Sequence, residues 1–527
     1  MIFLILFLAL ALRLINLNQS LWLDEAVQAV TAQRSLSYIF EEIRGDFHPP
    51  LYHFLMHYWV RIFGSTEIAL RIPSVLFGVA TVYVVYLIAK EISLANSFTS
   101  AVRRQRLCRR REESLRATIR GVSLACFAAL FLAAAPFHIY YSQEARMYSM
   151  ATFFVAGSVY FFLIINELDI NKLTYLGYFL FTLLALYSDY YAFLVVLTQI
   201  IYLIFKKKYR FLLLSTLFLM LAYLPWIPMF ITQIKTGMLA TQNLPGWGRL
   251  VNLNFLKALP LTFVKFSIGR ITIFNKGLYG LVMLGVFGVF GGVGGYGFLK
   301  VLKSIKPARQ ALPGEAGGSI KSVKSESFKE GESEKENYLI ILTWFVFPIL
   351  AAWLISLFIP NYQPFRLLLV LPAFYLLLAY GLVKIKNSAV MILLSIVILF
   401  INLASLSVYY LNPYFWREDW RGVANLVKKE KTSIVISAEA FNWPLVYYGV
   451  KDKVINVAFG AVVVQLLDKP RLLKKLVDNN LLFYTPYLAD LYDPNKFTLE
   501  WLDEVGFVKI KEISFNQIPV WEYRLTD

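Results

Sequence analysis

Ser20-Leu21-Trp22-Leu23-Asp24-Glu25-Ala26 is the first polar stretch of the chain, and it follows directly on an apolar N-terminus. It sets two adjacent carboxylates beside Trp22 at the mouth of a hydrophobic segment. Carboxylates near hydrocarbon are costly to keep, so such positions are functional candidates by default. The alternative is local. Acidic residues favour a helix N-terminus, and Asp24 and Glu25 would then simply open a surface helix.

Of the 527 residues, 58% are hydrophobic and 16% aromatic, and the mean hydropathy is +0.58. Average globular composition is about half apolar, which excludes a soluble globular chain. The length accommodates roughly ten membrane spans and a further domain. The net charge of +18 does not point to nucleic acid, because the basic residues cluster between apolar runs, where orientation signals belong. The two cysteines, Cys108 and Cys126, have no metal or redox spacing and imply no disulfide framework.

The first apolar run, Met1 to about Leu17, is short for a span and is interrupted by Arg13. It lacks the basic start and small-x-small cleavage site of a signal peptide, so it reads as an uncleaved helix entering from the cytoplasm. Residues from about 18 to 70 then lie outside, and a span from Pro73 to about Ile92 returns. The next loop carries Arg103, Arg104, Arg106, Arg109, Arg110, Arg111, Arg116 and Arg120, a strong cytoplasmic marker. Alternation from this anchor predicts spans near 121–137, 149–165 and 173–187, a return by Phe205, and further spans near 211–231, 277–302, 338–359, 367–383 and 389–411. That makes about eleven.

A polar cytoplasmic turn falls at 169–172, Lys206-Lys207-Lys208 and Arg210 also fall inside, and a long outer segment runs to about Lys276. Gly285, Gly288, Gly291, Gly292, Gly294 and Gly295 predict close helix packing in the span at 277–302. Residues 303–337, rich in Lys, Ser, Gly and Glu, lack the apolar content to fold and read as a disordered cytoplasmic linker. Everything from 412 to 527 lies outside. There, strand-like runs at 433–437, 453–458, 481–484, 507–515 and 520–524 alternate with helical ones at 418–430, 470–479 and 499–505. The pattern is that of a small α/β domain.

With this topology five polar loops gather on the outer face, at 21–26, 48–52, 140–148, 188–190 and 361–366. They predict one extracytoplasmic pocket. A transport path would place polar groups at mid-span, yet the spans are nearly free of acids. In such a pocket a carboxylate can deprotonate a nucleophilic hydroxyl, while Arg or Lys neutralises charge growing on a leaving phosphate. Glycosyl transfer from a polyprenyl-phosphate sugar has these needs, and a single base attacking from the opposite face inverts the anomeric centre. A phosphoryl or acyl lipid transferase is a rival enzyme reading. A lipid flippase or transporter without chemistry is the rival of another class.

SLWLDEA (20–26), HPPLYHFLMHYWVRIFGSTEIALRIPSVLFG (48–78), HIYYSQEARMYSM (138–150) and LYSDYY (186–191), in this order, resemble the membrane glycosyltransferases of the GT-C fold. The resemblance is in particular to the prokaryotic family 39-like branch, dolichyl-phosphate-mannose–protein mannosyltransferase-like and related to the aminoarabinose transferases that modify lipid A. It is strong over residues of about 18–205. It is looser over RLLLVLPAFYLLLAYG (366–381) and WREDWRGVANLVKKE (416–430).

The resemblance implies a GT-C transmembrane catalytic domain over 1–411, in the cell membrane, with its active site on the extracytoplasmic face. The implied acceptor is a protein hydroxyl, a glycolipid or a cell-wall glycan. Asp24 aligns with the acidic residue of the first outer loop and is implied as the general base. Glu144 falls at the second acidic position, where it orients acceptor or sugar; a salt bridge with Arg146 is its alternative. Glu25, with a helix-start role as its alternative, and Tyr141 are implied substrate contacts; Asp189 either lines the pocket or is a solvated turn residue. His48, Arg146, Lys265, Arg270 and Arg366 are phosphate candidates, each with a simple interface role as its alternative. A divalent metal is left open, at Asp24 and Glu144 or at His53 and His57, which stand four apart on one helix face. Tyr and Trp residues at span ends form an interface belt.

Overall fold

The computed structural model describes residues 1–102, 123–167, 172–244, 246–304, 318–460, 462–477 and 479–526. The arginine loop at 103–120, Cys108, most of the turn at 169–172 and residues 305–317 of the linker lie outside the described residues. Seven helical stretches are long and apolar enough to cross a membrane, and the pair Ser123–Ala133 and Pro136–Ser142, bent by 58°, makes an eighth. Shorter apolar helices at Ile2–Leu14, Lys172–Leu186 and Ala192–Phe205 occupy the other predicted positions. The chain is a polytopic helical membrane protein.

The charge that interrupts the first apolar run has a structural cause. The bend between Ala133 and Pro136 leaves backbone carbonyls that hydrocarbon cannot hydrate. Arg13 is fully buried. Its Nη1 donates to Ala133 O at 3.1 Å and to Ala9 O at 2.8 Å, and its Nη2 lies 2.6 Å from His138 Nδ1. Gln143 Nε2 in turn donates to Arg13 O at 3.0 Å. Arg13 thus caps the break and fixes the short helix that leads to Glu144. Replacing it with Leu strands Ala133 O and His138, and should cost about 2 kcal/mol, seen as a lower unfolding temperature in detergent.

The six glycines expected to permit close packing do not do so. A β-carbon on Gly285, Gly288, Gly291, Gly292, Gly294 or Gly295 would meet nothing within 4 Å, because this part of the helix faces outward at the bundle rim. The close approach is made one turn further on. A β-carbon on Gly297 would lie 2.9 Å from Gly381 Cα, and one on Gly381 would strike the Val293 carbonyl. The disordered reading of 303–337 also needs correcting at its end, since Gly318–Ile355 is one continuous helix. Once a span is nucleated, each upstream residue adds a hydrogen bond without a new nucleation cost, and Lys and Glu are good helix formers.

Beyond Leu411 a five-stranded sheet has the order β2-β1-β3-β5-β4. Strands β1 (Ser433–Ala438), β2 (Val454–Ala458) and β3 (Leu481–Thr485) are parallel. β4 (Phe507–Phe515) and β5 (Ile518–Leu525) form a hairpin, with β5 antiparallel to β3. The strands fall on the predicted runs. The hairpin turns on Asn516 and Gln517, both at positive φ (28° and 69°), as a two-residue turn between twisted strands requires. This sheet has its own apolar core around Trp420, Ile434, Phe483 and Trp501, joined by Leu244 from the segment that follows the helix Ile227–Asn243.

Candidate active site

The five polar loops meet. Glu25 accepts from Ala145 N at 2.8 Å, joining the first loop to the third. Leu51 N donates to Tyr187 O at 3.1 Å, which brings the HPPLY segment to the edge of the Ser188-Asp189-Tyr190 turn. Tyr191 OH donates to Asn361 O at 2.7 Å, and Phe365 lies against Tyr141 and Tyr148 with ring centroids 5.8 and 5.3 Å apart. Asp24 and Glu144 therefore belong to one site.

Asp24 and Glu25 both lie in the first turn of the helix Leu23–Ala32, as the helix-start reading expects. Successive positions on a helix point in different directions, and here this separates the two acids. Glu25 is fully buried. Arg71 grips it with Nε to Oε1 at 2.8 Å and Nη2 to Oε2 at 2.5 Å, and uses Nη1 on the carbonyls of Leu17 and Gln19. Burial alone would raise the Glu25 pKa, but Arg417 and Arg71 outweigh it and hold the carboxyl below its ordinary value. Asp24 keeps 37% of its side chain exposed, and Arg146 Nη2 approaches it to 3.5 Å.

Glu144 is buried and takes a 2.9 Å bond from Arg417 Nη1. Burial raises its pKa; Arg417 opposes this and Glu25 adds to it. Its alternative pairing with Arg146 is not made through side chains, since that guanidinium turns to Asp24. The two buried acids thus have environments that push them apart, one below and one above the ordinary carboxyl range.

Three of the expected phosphate ligands make no salt bridge to an acid among the described residues, although Glu144 acts on Arg270 and Arg366 on Asp189 at longer range. Arg270 is open to solvent on one side, donates to Tyr140 OH at 2.6 Å and lies 4.6 Å from that ring's centre. Lys265, in the last turn of the helix Phe255–Ile268, is pushed down to about 8 by burial and then by Arg270. Arg366 donates to Asn361 O at 3.0 Å. His48 is differently placed. It and His53 flank Asp46, with Nδ1 and Nε2 each 2.9 Å from a carboxylate oxygen. Burial would raise Asp46, but the two histidines hold it well below its usual value. Asp189 is buried and accepts from Tyr191 N at 2.8 Å. His57 instead faces Ala32 O. Among the described residues no group of three or more His, Cys, Asp or Glu side chains is arranged to hold a metal ion.

Besides Asp46, the charged residues Arg71, Arg417 and the nearby Glu418 were passed over in the sequence reading. Arg71 sits inside the quoted motif and Arg417 and Glu418 inside WREDW, so a signal existed, but nothing in the spacing shows their partners. Glu418 takes bonds from Trp420 Nε1 and Tyr487 OH, both at 2.9 Å.

A bundle of membrane-length helices whose joined loops bring paired acids and several arginines together beneath a small sheet domain defines the class: a polytopic protein of the GT-C fold. A sequence model of the dolichyl-phosphate-mannose-protein mannosyltransferase family matches residues 47–102. ArnT from Cupriavidus metallidurans in the apo state is similar with a TM-score of 0.52 at 12% identity, covering 99% of this chain and 97% of that one. The same protein bound to undecaprenyl phosphate gives 0.51 at 13%, with the same coverage. The Archaeoglobus fulgidus oligosaccharyltransferase in complex with zinc and sulfate gives 0.50 at 12%, covering 97% of this chain and 72% of that one. At these identities the likeness is one of fold. No curated protein sequence matches the chain.

Proposed function

We propose that this protein is an inverting glycosyltransferase that moves one sugar from a polyprenyl-phosphate carrier to a hydroxyl on an extracytoplasmic acceptor. In this reading residues 1–411 are the catalytic membrane domain and 412–527 an extracytoplasmic domain above it. The observation that carries the reading is the unequal treatment of the loop acids. Glu25 and Glu144 are closed off by Arg71 and Arg417, whereas Asp24 is partly exposed, with one arginine at 3.5 Å.

Asp24 then takes the acceptor hydroxyl proton as that oxygen attacks the anomeric carbon. The bond from the anomeric carbon to the phosphate oxygen breaks, and polyprenyl phosphate leaves with the electron pair. Lys265, Arg270 and Arg366, which make no salt bridge among the described residues, receive the growing negative charge. Tyr140, Tyr141, Tyr148 and Phe365 form the aromatic wall beside them. The fold likeness to a protein crystallised with undecaprenyl phosphate supports a lipid carrier.

The test is purified protein in liposomes with a radiolabelled polyprenyl-phosphate sugar. Release of polyprenyl phosphate with label on an acceptor supports the reading. Movement of intact lipid across the bilayer without loss of sugar would replace it with the flippase reading. A pH prediction follows from Lys265, with its value of about 8. Below that pH the amine is charged and holds phosphate; as pH rises through it the charge is lost. The KM for the donor should therefore climb above pH ~8, and Lys265→Met should start high and lose that limb.

A further inference from the structure

We propose that Arg417 is a positioning residue of this active centre, locking Glu144 and the loop that faces Asp24, and that the β4–β5 hairpin tip holds it in place. The inference rests on the transferase reading.

The Arg417 side chain is almost entirely buried, and its donors point at protein. Nη1 reaches Glu144 Oε2 at 2.9 Å, Nη2 reaches Tyr140 O at 3.3 Å and Gln143 O at 3.1 Å, and Nε stands 3.8 Å from Glu25 Oε2. The Tyr140 ring lies 4.6 Å below the guanidinium. A planar fork is suited to this set of acceptors, which leaves it little to offer a substrate. The same side chain thus ties the end of the helix Pro136–Ser142 to both buried acids. Arg146, which approaches Asp24 to 3.5 Å, stands two residues beyond Glu144. A shift of Glu144 would carry Arg146 with it and misplace Asp24.

Arg417 is itself clamped from the far side. Its N–H donates to Gln19 Oε1 at 2.9 Å, and its carbonyl accepts from Asn516 Nδ2 at 2.7 Å. Gln517 Nε2 holds the two preceding stretches, through Trp416 O at 2.9 Å and Tyr414 O at 3.2 Å. The path from the sheet to the reacting group is contiguous: hairpin tip, residues 414–417, Glu144, Arg146, Asp24. The outer domain is in this sense part of the active centre.

The experiment uses the full chain in liposomes with radiolabelled polyprenyl-phosphate sugar, comparing wild type, Arg417→Ala and Asn516→Gly for kcat, donor KM and unfolding temperature. Glycine accepts the positive φ of the turn, so Asn516→Gly keeps the hairpin and removes only the bond to Arg417 O. It should unfold with the wild type and lose about fivefold in kcat, one hydrogen bond's worth, at unchanged donor KM. Arg417→Ala should lose about 100-fold in kcat and regain part of it with added methylguanidinium. Wild-type kcat in Asn516→Gly would overturn the proposal even if Arg417→Ala fails to fold. A raised donor KM at constant kcat in Arg417→Ala would overturn it too, making Arg417 a substrate ligand. Absence of sugar consumption by the wild type would instead overturn the transferase reading, and this inference with it.

Discussion

Asp24→Asn should fold as the wild type does and release almost no polyprenyl phosphate. The amide matches the carboxylate in shape but cannot take a proton, and loss of a general base costs about 10²–10⁴-fold in rate. Stability should hardly change, because Asp24 is partly exposed and its contact with Arg146 spans 3.5 Å, a pair of the kind that contributes about 0–1 kcal/mol. The measurement is turnover of labelled donor, set beside the unfolding temperature of the same preparation. Donor KM should stay within a few-fold, since the cations assigned to phosphate are untouched. Normal turnover by Asp24→Asn would remove the base assignment, and Glu144→Gln would then be the variant to compare.

Glu25→Ala should do the reverse and damage the fold. Arg71 and Arg417 would face each other across a buried space, and Ala145 N would lose its acceptor. Removing one partner of a buried ion pair costs about 3–5 kcal/mol, enough to lower folded yield in detergent sharply. Glu25→Gln should be milder, since it keeps acceptor and shape but not the charge. The pH dependence has a definite sign. A carboxyl held below its ordinary value stabilises the protein above the unfolded pKa of about 4.3, and this is lost as pH falls through the folded value. Acid unfolding of Glu25→Ala should therefore lose part of the wild-type slope. If Glu25→Ala were as stable as the wild type and as inactive as Asp24→Asn, the roles of the neighbouring acids would be exchanged.

Much of this was legible in the chain. The apolar runs and the C-terminal strands appear where period and composition place them, because both signals are local. The choice of Asp24 from the acidic pair rests on motif resemblance; in the structure Glu25 points one helical step away into Arg71, while Asp24 stays partly exposed. The glycine reading failed for a complementary reason. Six glycines in one span suggest contact, but only the position of Gly381 on another helix decides which glycine is used, and that is Gly297. His48 is a phosphate candidate by resemblance, yet Asp46, two residues earlier, pairs with it.

By itself the sequence determined that the chain crosses a membrane repeatedly and that a small α/β domain follows, because hydrophobicity and side-chain period act over a few residues at a time. The tertiary structure alone decided which acid stays partly exposed and which are locked. Those pairings join residues 46 and 273 positions apart, as between Arg71 and Glu25 and between Arg417 and Glu144. A buried charge settles on whichever partner the packing brings within bonding distance, and no local pattern carries that information.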